Sequence, residues 1–287
     1  MTSARHGERA AAALGAAAAL SLCYLIYESQ WLRTVEHELR LADLPPDLDG
    51  FTVVQLSDLH VGSRPSFNLR TFRKAVDETR RIAPDLIVIT GDLVTGGSRL
   101  EELCAELRRL PPSRGVFAVL GNHDHGVMKL LRASATDLAR LAQSGVRLLD
   151  DECVSLAVGG ATLQVCGVDD VVNGYGDVER VRGALDRRPG TVRLLLSHYG
   201  EVAESLAPGD VALVLSGDTH GGQICLPAPG VRGGRIMFSQ PRARFREGFY
   251  DEDGTLVYVS RGVGTSFLPF RLLCRPEIVV FRLRRGS

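Results

Sequence analysis

Thr52-Val53-Val54-Gln55-Leu56-Ser57 runs without a break into Asp58-Leu59-His60. A short run rich in Val and Leu, with no polar alternation, is what a strand covered on both faces requires. The polar word at its end sets a carboxylate and an imidazole where the strand stops. The same pattern recurs along the chain. Leu86-Ile87-Val88-Ile89-Thr90 leads into Gly91-Asp92, and Val116-Phe117-Ala118-Val119-Leu120 into Gly121-Asn122-His123-Asp124. Leu194-Leu195-Leu196-Ser197 leads into His198, and Val211-Ala212-Leu213-Val214-Leu215-Ser216 into Gly217-Asp218-Thr219-His220.

Between these runs lie amphipathic segments. Phe72, Ala75, Val76, Thr79 and Ile82 recur at helical spacing after Ser66, as do Leu100, Leu103, Leu107 and Leu110 after Ser98, where Ser98 and Glu101 form a capping box. A third helix is predicted from about Ser134 to Gln143, with Gly145 just past its end, and a fourth after Asp177. Alternation of apolar strands and amphipathic helices predicts an α/β fold. Short strands are also predicted at Arg235–Phe238, Leu256–Ser260 and Ile278–Arg282. In an open α/β sheet the carboxyl ends of the strands form the ligand crevice. The five words would bring four carboxylates, one amide and four imidazoles to that edge. Such a set is costly to bury without cations or hydrogen bonds to compensate it.

Each word alone has an ordinary explanation. A Gly-Asp after a strand is usually a turn and a helix cap, and a lone buried histidine is usually a satisfied core residue. The conjunction changes the balance, because four of the seven histidines stand at these strand ends. His6, His37 and His125 fall outside the set and read as tail, linker and loop. Oxygen and nitrogen donors without cysteine suit Mn, Fe, Zn or similar divalent ions and argue against a structural zinc site.

The words DLH, GD, GNHD, H and GDTHGGQ, in that order, resemble the five blocks of the calcineurin-like metallophosphoesterase superfamily, and within it the bacterial membrane-anchored phosphodiesterase branch. The likeness starts at Leu44-Pro45, extends to Ser260-Arg261-Gly262-Val263-Gly264-Thr265 and Arg275-Pro276-Glu277, and implies a two-sheet β-sandwich flanked by helices, a four-layer αββα fold. It implies that Asp58, His60 and His220 hold a first metal, that Asp92 bridges to a second, and that Asn122, His198 and Asp218 complete the second site. A bridging hydroxide between the two divalent metals is then the nucleophile, with His123 as general acid and Asp124 orienting it. The chain departs from the pattern at Asp218, where the family usually has His; at Thr95, where it often has an acid; and at Tyr199-Gly200, where a proline-containing turn is commoner.

The implied activity is phosphodiester hydrolysis. A phosphomonoesterase of the same fold, or a metal-binding interaction module without catalysis, are the alternatives. Lys plus Arg and Asp plus Glu balance at 34 each, which leaves no basic field for nucleic acid. A local run at Arg242, Arg244 and Arg246 reads as a solvated loop. The substrate expected is a phosphoester, either an envelope lipid or a nucleotide-linked precursor.

Three spans organise the chain: 1–30 as a membrane segment, 31–50 as a linker around Pro45-Pro46, and 51–287 as the phosphoesterase domain. The uncharged stretch Ala10–Tyr27 approaches the ~20 residues that cross a bilayer. It reads as a transmembrane signal-anchor, with a cleaved signal peptide or a soluble Ala-rich helix as alternatives. Arg5 and Arg9 before it, and Glu28 after it, predict a single-pass protein of the cytoplasmic membrane with the domain outside. The six cysteines are too scattered for a metal site. Counting outward from the two-residue turn implied by Val158-Gly159-Gly160-Ala161 sets Cys153 opposite Cys166, close enough for a disulfide.

Overall fold

Each long apolar run feeds two cores at once, because successive residues of a strand point to opposite faces. In the computed structural model, which describes residues 2–62, 67–95, 99–111, 114–126, 135–230, 235–240 and 243–286, the runs build two facing six-stranded sheets. In spatial order the first sheet contains Arg33–Leu41 (β1), Glu277–Arg285 (β14), Thr52–Leu56 (β2), Leu86–Thr90 (β3), Val116–Val119 (β4) and Val146–Leu148 (β5). The second contains Gly248–Glu252 (β12), Thr255–Val259 (β13), Leu213–Ser216 (β9), Thr191–Leu196 (β8), Ala161–Gly167 (β7) and Glu152–Val158 (β6). A small ribbon pairs Cys225–Pro227 (β10) with Arg235–Met237 (β11).

Val53, Val88 and Phe117 of the first sheet meet Val165, Leu194 and Leu215 of the second in the central core. Their neighbours Val54, Ile87 and Ala118 face outward onto the helices Asn68–Ile82 (α2), Leu100–Leu107 (α3) and Ala135–Gln143 (α4) through Phe72, Leu103 and Leu141. Leu195 and Val214 face outward on the other side, toward Val181 of Val178–Gly183 (α5). Phe72 is fully buried, so truncating it to alanine should cost about 3–5 kcal/mol. The helix α2 stops at Ala83, whose φ of 50° is left-handed and whose amide returns to the Thr79 carbonyl. Asp177 caps α5 by accepting the Arg180 amide. Ser98, read as the cap of α3, lies outside the described residues, as do Ser66, Ser134 and Arg242.

The hairpin register is as counted: Cys153 faces Cys166 in the β6–β7 ladder, and a disulfide joins them. The connector reading of residues 31–50 needs correction. β1 lies within that stretch and pairs in parallel with β14, from Arg33↔Glu277 to Leu41↔Arg285. Val35, His37, Leu39 and Leu41 turn inward while Glu36, Glu38 and Arg40 stay in water, the alternation of an edge strand. His37 is therefore a packing residue, with its ring 4.9 Å from Phe249 and 5.2 Å from Tyr258.

At the amino end Thr2–Glu28 forms one helix (α1). Its stretch Ala11–Glu28 is long and apolar enough to cross a membrane and is hardly buried by the rest of the protein.

Candidate metal centre

The five words converge, but from two sheets rather than one edge. β2, β3 and β4 deliver Asp58, His60, Asp92 and Asn122, and β8 and β9 of the facing sheet deliver His198, Asp218 and His220. The seam is pinned by Gln55, whose side-chain amide donates to the Ser216 carbonyl at 2.8 Å and to Thr90 Oγ1 at 3.0 Å. Close approach explains two of the glycines: a Cβ on Gly91, which has φ +90°, would fall onto the His198 ring, and one on Gly217 would meet Ser57 and Asp58.

The backbone bends sharply to aim these side chains. Asp58, His60, Asp92, Asp218 and His220 all have positive φ, between 45° and 71°. Non-glycine residues seldom adopt this region, and it gathers at functional sites where the surrounding fold enforces it.

The contacts are dense. His60 Nε2 lies 3.0 Å from His220 Nε2 and 3.3 Å from Asp92 Oδ2. His198 Nε2 is 3.5 Å from Asp92 Oδ2, 3.5 Å from Asp218 Oδ1 and 3.2 Å from Asn122 Oδ1. His220 Nε2 is 3.6 Å from Asp58 Oδ1, which also accepts the Asp218 amide at 3.1 Å. Asp92 Oδ1 accepts the His123 amide at 2.9 Å. Three overlapping sets, Asp58-His60-His220, His60-Asp92-His123 and Asp58-Asp92-His198, each bring one donor atom per residue within 4.8 Å of the others. Apart from half-buried Asn122, the candidate ligands are buried.

Burial dominates the electrostatics. It pushes the Asp58 carboxyl up to about 6 and the Asp218 carboxyl up to about 7. It also drives the His60 imidazole down to about 3 and His220 well below its ordinary value. For Asp92, burial opposes the charged form, but His198 and His60 outweigh it and hold the carboxyl low. His198 is the counterpart: burial disfavours its charge, and Asp92 more than restores it.

One expected role is redistributed. Asp124 does not orient His123: its oxygens accept the amides of Gly121 at 3.0 Å, Leu93 at 3.2 Å and Val94 at 2.9 Å. His123 Nδ1 has no hydrogen-bond partner. Asp124 thus fastens the β4 loop to the β3 loop. Thr95, at the position where an acid was the commoner residue, places its hydroxyl 2.7 Å from His60 Nδ1. His125 is more than a loop residue, since Nε2 lies 2.7 Å from Asp169 Oδ1 and the ring stacks on Tyr175 at 4.1 Å.

Arg271 escaped the sequence reading. It is wholly buried and donates to the carbonyls of His220, Arg261, Gly262, Gly264 and Cys274. A lone arginine inside the apolar word Phe270-Arg271-Leu272-Leu273 was the signal for it.

A cavity of about 360 Å³ opens over the cluster, and its lining includes Asp92, Asn122, His123, Asp218 and His220 together with Phe238, Phe267 and Leu268.

The family model described as calcineurin-like phosphoesterase matches residues 51–222. The uncharacterized metallophosphoesterase YkuE of Bacillus subtilis is 32% identical over 267 residues, 90% of this chain and 87% of the relative. An uncharacterized metallophosphoesterase of Aquifex aeolicus is 31% identical over 91% of this chain and 95% of its own length. A zebrafish transmembrane protein with a metallophosphoesterase domain is 28% identical over 94% of this chain, which spans 61% of that relative. Among solved structures, a dimetal phosphatase from Danio rerio superposes with a TM-score of 0.46 at 13% identity, over 75% of this chain and 88% of that one.

Proposed function

The chain belongs to the calcineurin-like phosphoesterases, hydrolases of phosphoester bonds, and from that premise we propose a metal-dependent phosphodiesterase anchored in the cytoplasmic membrane with its catalytic domain outside. The observation that carries the proposal is the meeting of Asp58, His60, Asp92, Asn122, His198, Asp218 and His220 under one cavity.

The residues fit divalent cations. Asp58 Oδ2 is buried with no hydrogen-bond partner, and a buried carboxylate oxygen in that state calls for a cation or a donor. On this reading Asp58, His60 and His220 would hold one cation and Asn122, His198 and Asp218 the other, with Asp92 available to both. The mixed oxygen and nitrogen set suits Mn, Fe or Zn. When bound, the cations supply Lewis-acid polarisation of the phosphoryl oxygens and activate water.

The remaining chemistry belongs to the side chains. His123 stands edge-on to His60 at 4.6 Å and to Phe267 at 6.0 Å, which fixes its ring on the cavity wall. Burial lowers its pKa, and the negative charge of a bound phosphoester raises it again, so the imidazole can hold a proton for the leaving oxygen. Thr95 orients His60, and Asp124 holds the loop that carries Asn122 and His123.

Support for the outward orientation comes from the Cys153–Cys166 disulfide, a bond that persists in oxidising compartments. The catalytic domain is proposed to begin at β1 rather than at Phe51, since β1 completes the first sheet.

The deciding assay compares bis-p-nitrophenyl phosphate with p-nitrophenyl phosphate after chelation and with single metals restored. The expected result is loss of both activities on chelation and a higher kcat/KM for the diester on reconstitution. A monoester preference would move the chain to the phosphomonoesterases. No turnover with any metal would leave a binding module.

A further inference from the structure

The foot of α1 is fastened to the segment that walls the cavity. The Leu25 carbonyl accepts the Arg271 amide at 3.2 Å, and the Glu28 carboxylate accepts the Cys274 amide at 2.8 Å. Three residues before Arg271, Leu268 reaches the cavity together with Phe267. Three residues of chain span at most roughly 11 Å, so the cavity rim lies close to the level at which α1 leaves the apolar layer.

That rim is apolar and open to solvent. Phe267 is 71% exposed, Phe238 61% and Leu268 47%, and all three line the cavity that also contains His123 and His220. Large apolar side chains gathered at one mouth mark a binding surface rather than chance. Around the foot of α1 stand exposed Tyr24, Tyr27 and Trp31, with the Arg275 guanidinium 3.7 Å over the Trp31 ring. Lys74 donates to the Gln30 carbonyl at 2.7 Å. Aromatic rings and cations in such a belt settle at the headgroup layer of a bilayer.

We infer that the site draws its phosphoester from the bilayer that holds α1: the substrate is a membrane amphiphile whose phosphate reaches Asp92, His123 and His220 while its hydrocarbon chain lies along Phe238, Phe267 and Leu268. The inference rests on the proposed reading of the cluster as a phosphodiesterase centre and of α1 as an anchor. A nucleotide-linked soluble ester would leave the apolar rim without a partner, whereas a hydrocarbon chain buries it.

The test uses the full chain in lipid nanodiscs, with Mn²⁺ supplied, and two diesters that share a leaving group: butyl and dodecyl 4-nitrophenyl phosphate, both below micelle-forming concentration. A fully buried methylene is worth about four-fold in affinity, so even partial burial of the longer chain should raise kcat/KM at least about ten-fold. Leu268→Ser and Phe238→Ser, both at exposed positions, should each cut that ratio to about three-fold or less, chiefly through KM for the dodecyl ester. Equal kcat/KM for the two esters, in protein that resists extraction by alkaline carbonate, overturns this inference and leaves the phosphodiesterase reading standing. Hydrolysis of neither ester with any metal sinks the phosphodiesterase reading and this inference with it. Release of the protein by carbonate removes the anchor and overturns this inference, and leaves the phosphodiesterase reading standing.

Discussion

The Nε2 atoms of His60 and His220 lie 3.0 Å apart. Burial disfavours the charged form of either ring, so at neutral pH both imidazoles are neutral. Asp218, at about 7, is partly protonated at neutral pH, and Asp58, at about 6, becomes so as pH falls, and a cation must displace those protons. Metal affinity should therefore fall as pH drops from 8 to 6, and binding near pH 7 should release protons. Calorimetric titration of Mn²⁺ into chelated protein, in two buffers of different ionisation enthalpy, measures both effects. An affinity that rises on acidification would contradict them.

The His123 amide donates to the Asp92 carboxylate at 2.9 Å, yet the two residues should fail differently. Asp92 touches both His60 and His198, so Asp92→Ala should lose metal and turnover together. His123→Ala removes the proposed proton donor and should lower kcat by about 10²–10⁴-fold with metal content near wild type. Metal analysis of both purified variants beside diester kinetics decides the point. Equal metal loss in the two would refute the assignment.

The strands and the centre were legible because each buried run lies between two cores and so shows no polar face: Val53 packs inward and Val54 outward. The polar words at the strand ends then stood out. β1 was not legible in the same way, since Glu36, Glu38 and Arg40 on its wet face made it look like a linker, and only the inward set of Val35, His37 and Leu39 carried the signal. Asp124 was misread because neighbours in a tight turn point in different directions, and its partners are backbone amides that leave no trace in side-chain patterns. The carbonyl partners of Arg271 hid its role for the same reason.

Asp218 stands where the family usually has histidine. Its amide is held by Asp58 and its Oδ1 lies 3.5 Å from His198 Nε2. Asp218→His should retain or raise phosphodiesterase activity, because an imidazole ligates without adding a third buried negative charge. Complete inactivation with metal still bound would show that the carboxylate has a duty of its own.

Arg271→Met should be costly without touching substrate. It leaves the backbone carbonyls of Arg261, Gly264 and Cys274 short of a donor, while those of His220 and Gly262 keep the amides of Gln223 and Glu277, and each unsatisfied group costs about 1–3 kcal/mol. Local relaxation recovers part of that, so a loss of about 3–5 kcal/mol is expected, measured by urea denaturation of chelated protein. A loss below about 1 kcal/mol would mean that water serves these carbonyls equally well.

Cys153 and Cys166 close a loop with a sequence separation of 13 across a hairpin whose register already holds them face to face. The bond therefore acts chiefly by restricting the unfolded chain, an effect of about 3 kcal/mol for a loop this short. Cys153→Ser should destabilise the oxidised protein by that amount, yet leave diester kinetics and metal content unchanged, because the hairpin lies at the edge of the second sheet, beyond β8 and β9, which carry the site. Thiol counting on denatured, unreduced protein should find four free cysteines, those at 23, 104, 225 and 274. Six free thiols in protein recovered from its native membrane would remove the disulfide, and with it the support it lends to a domain on the oxidising side.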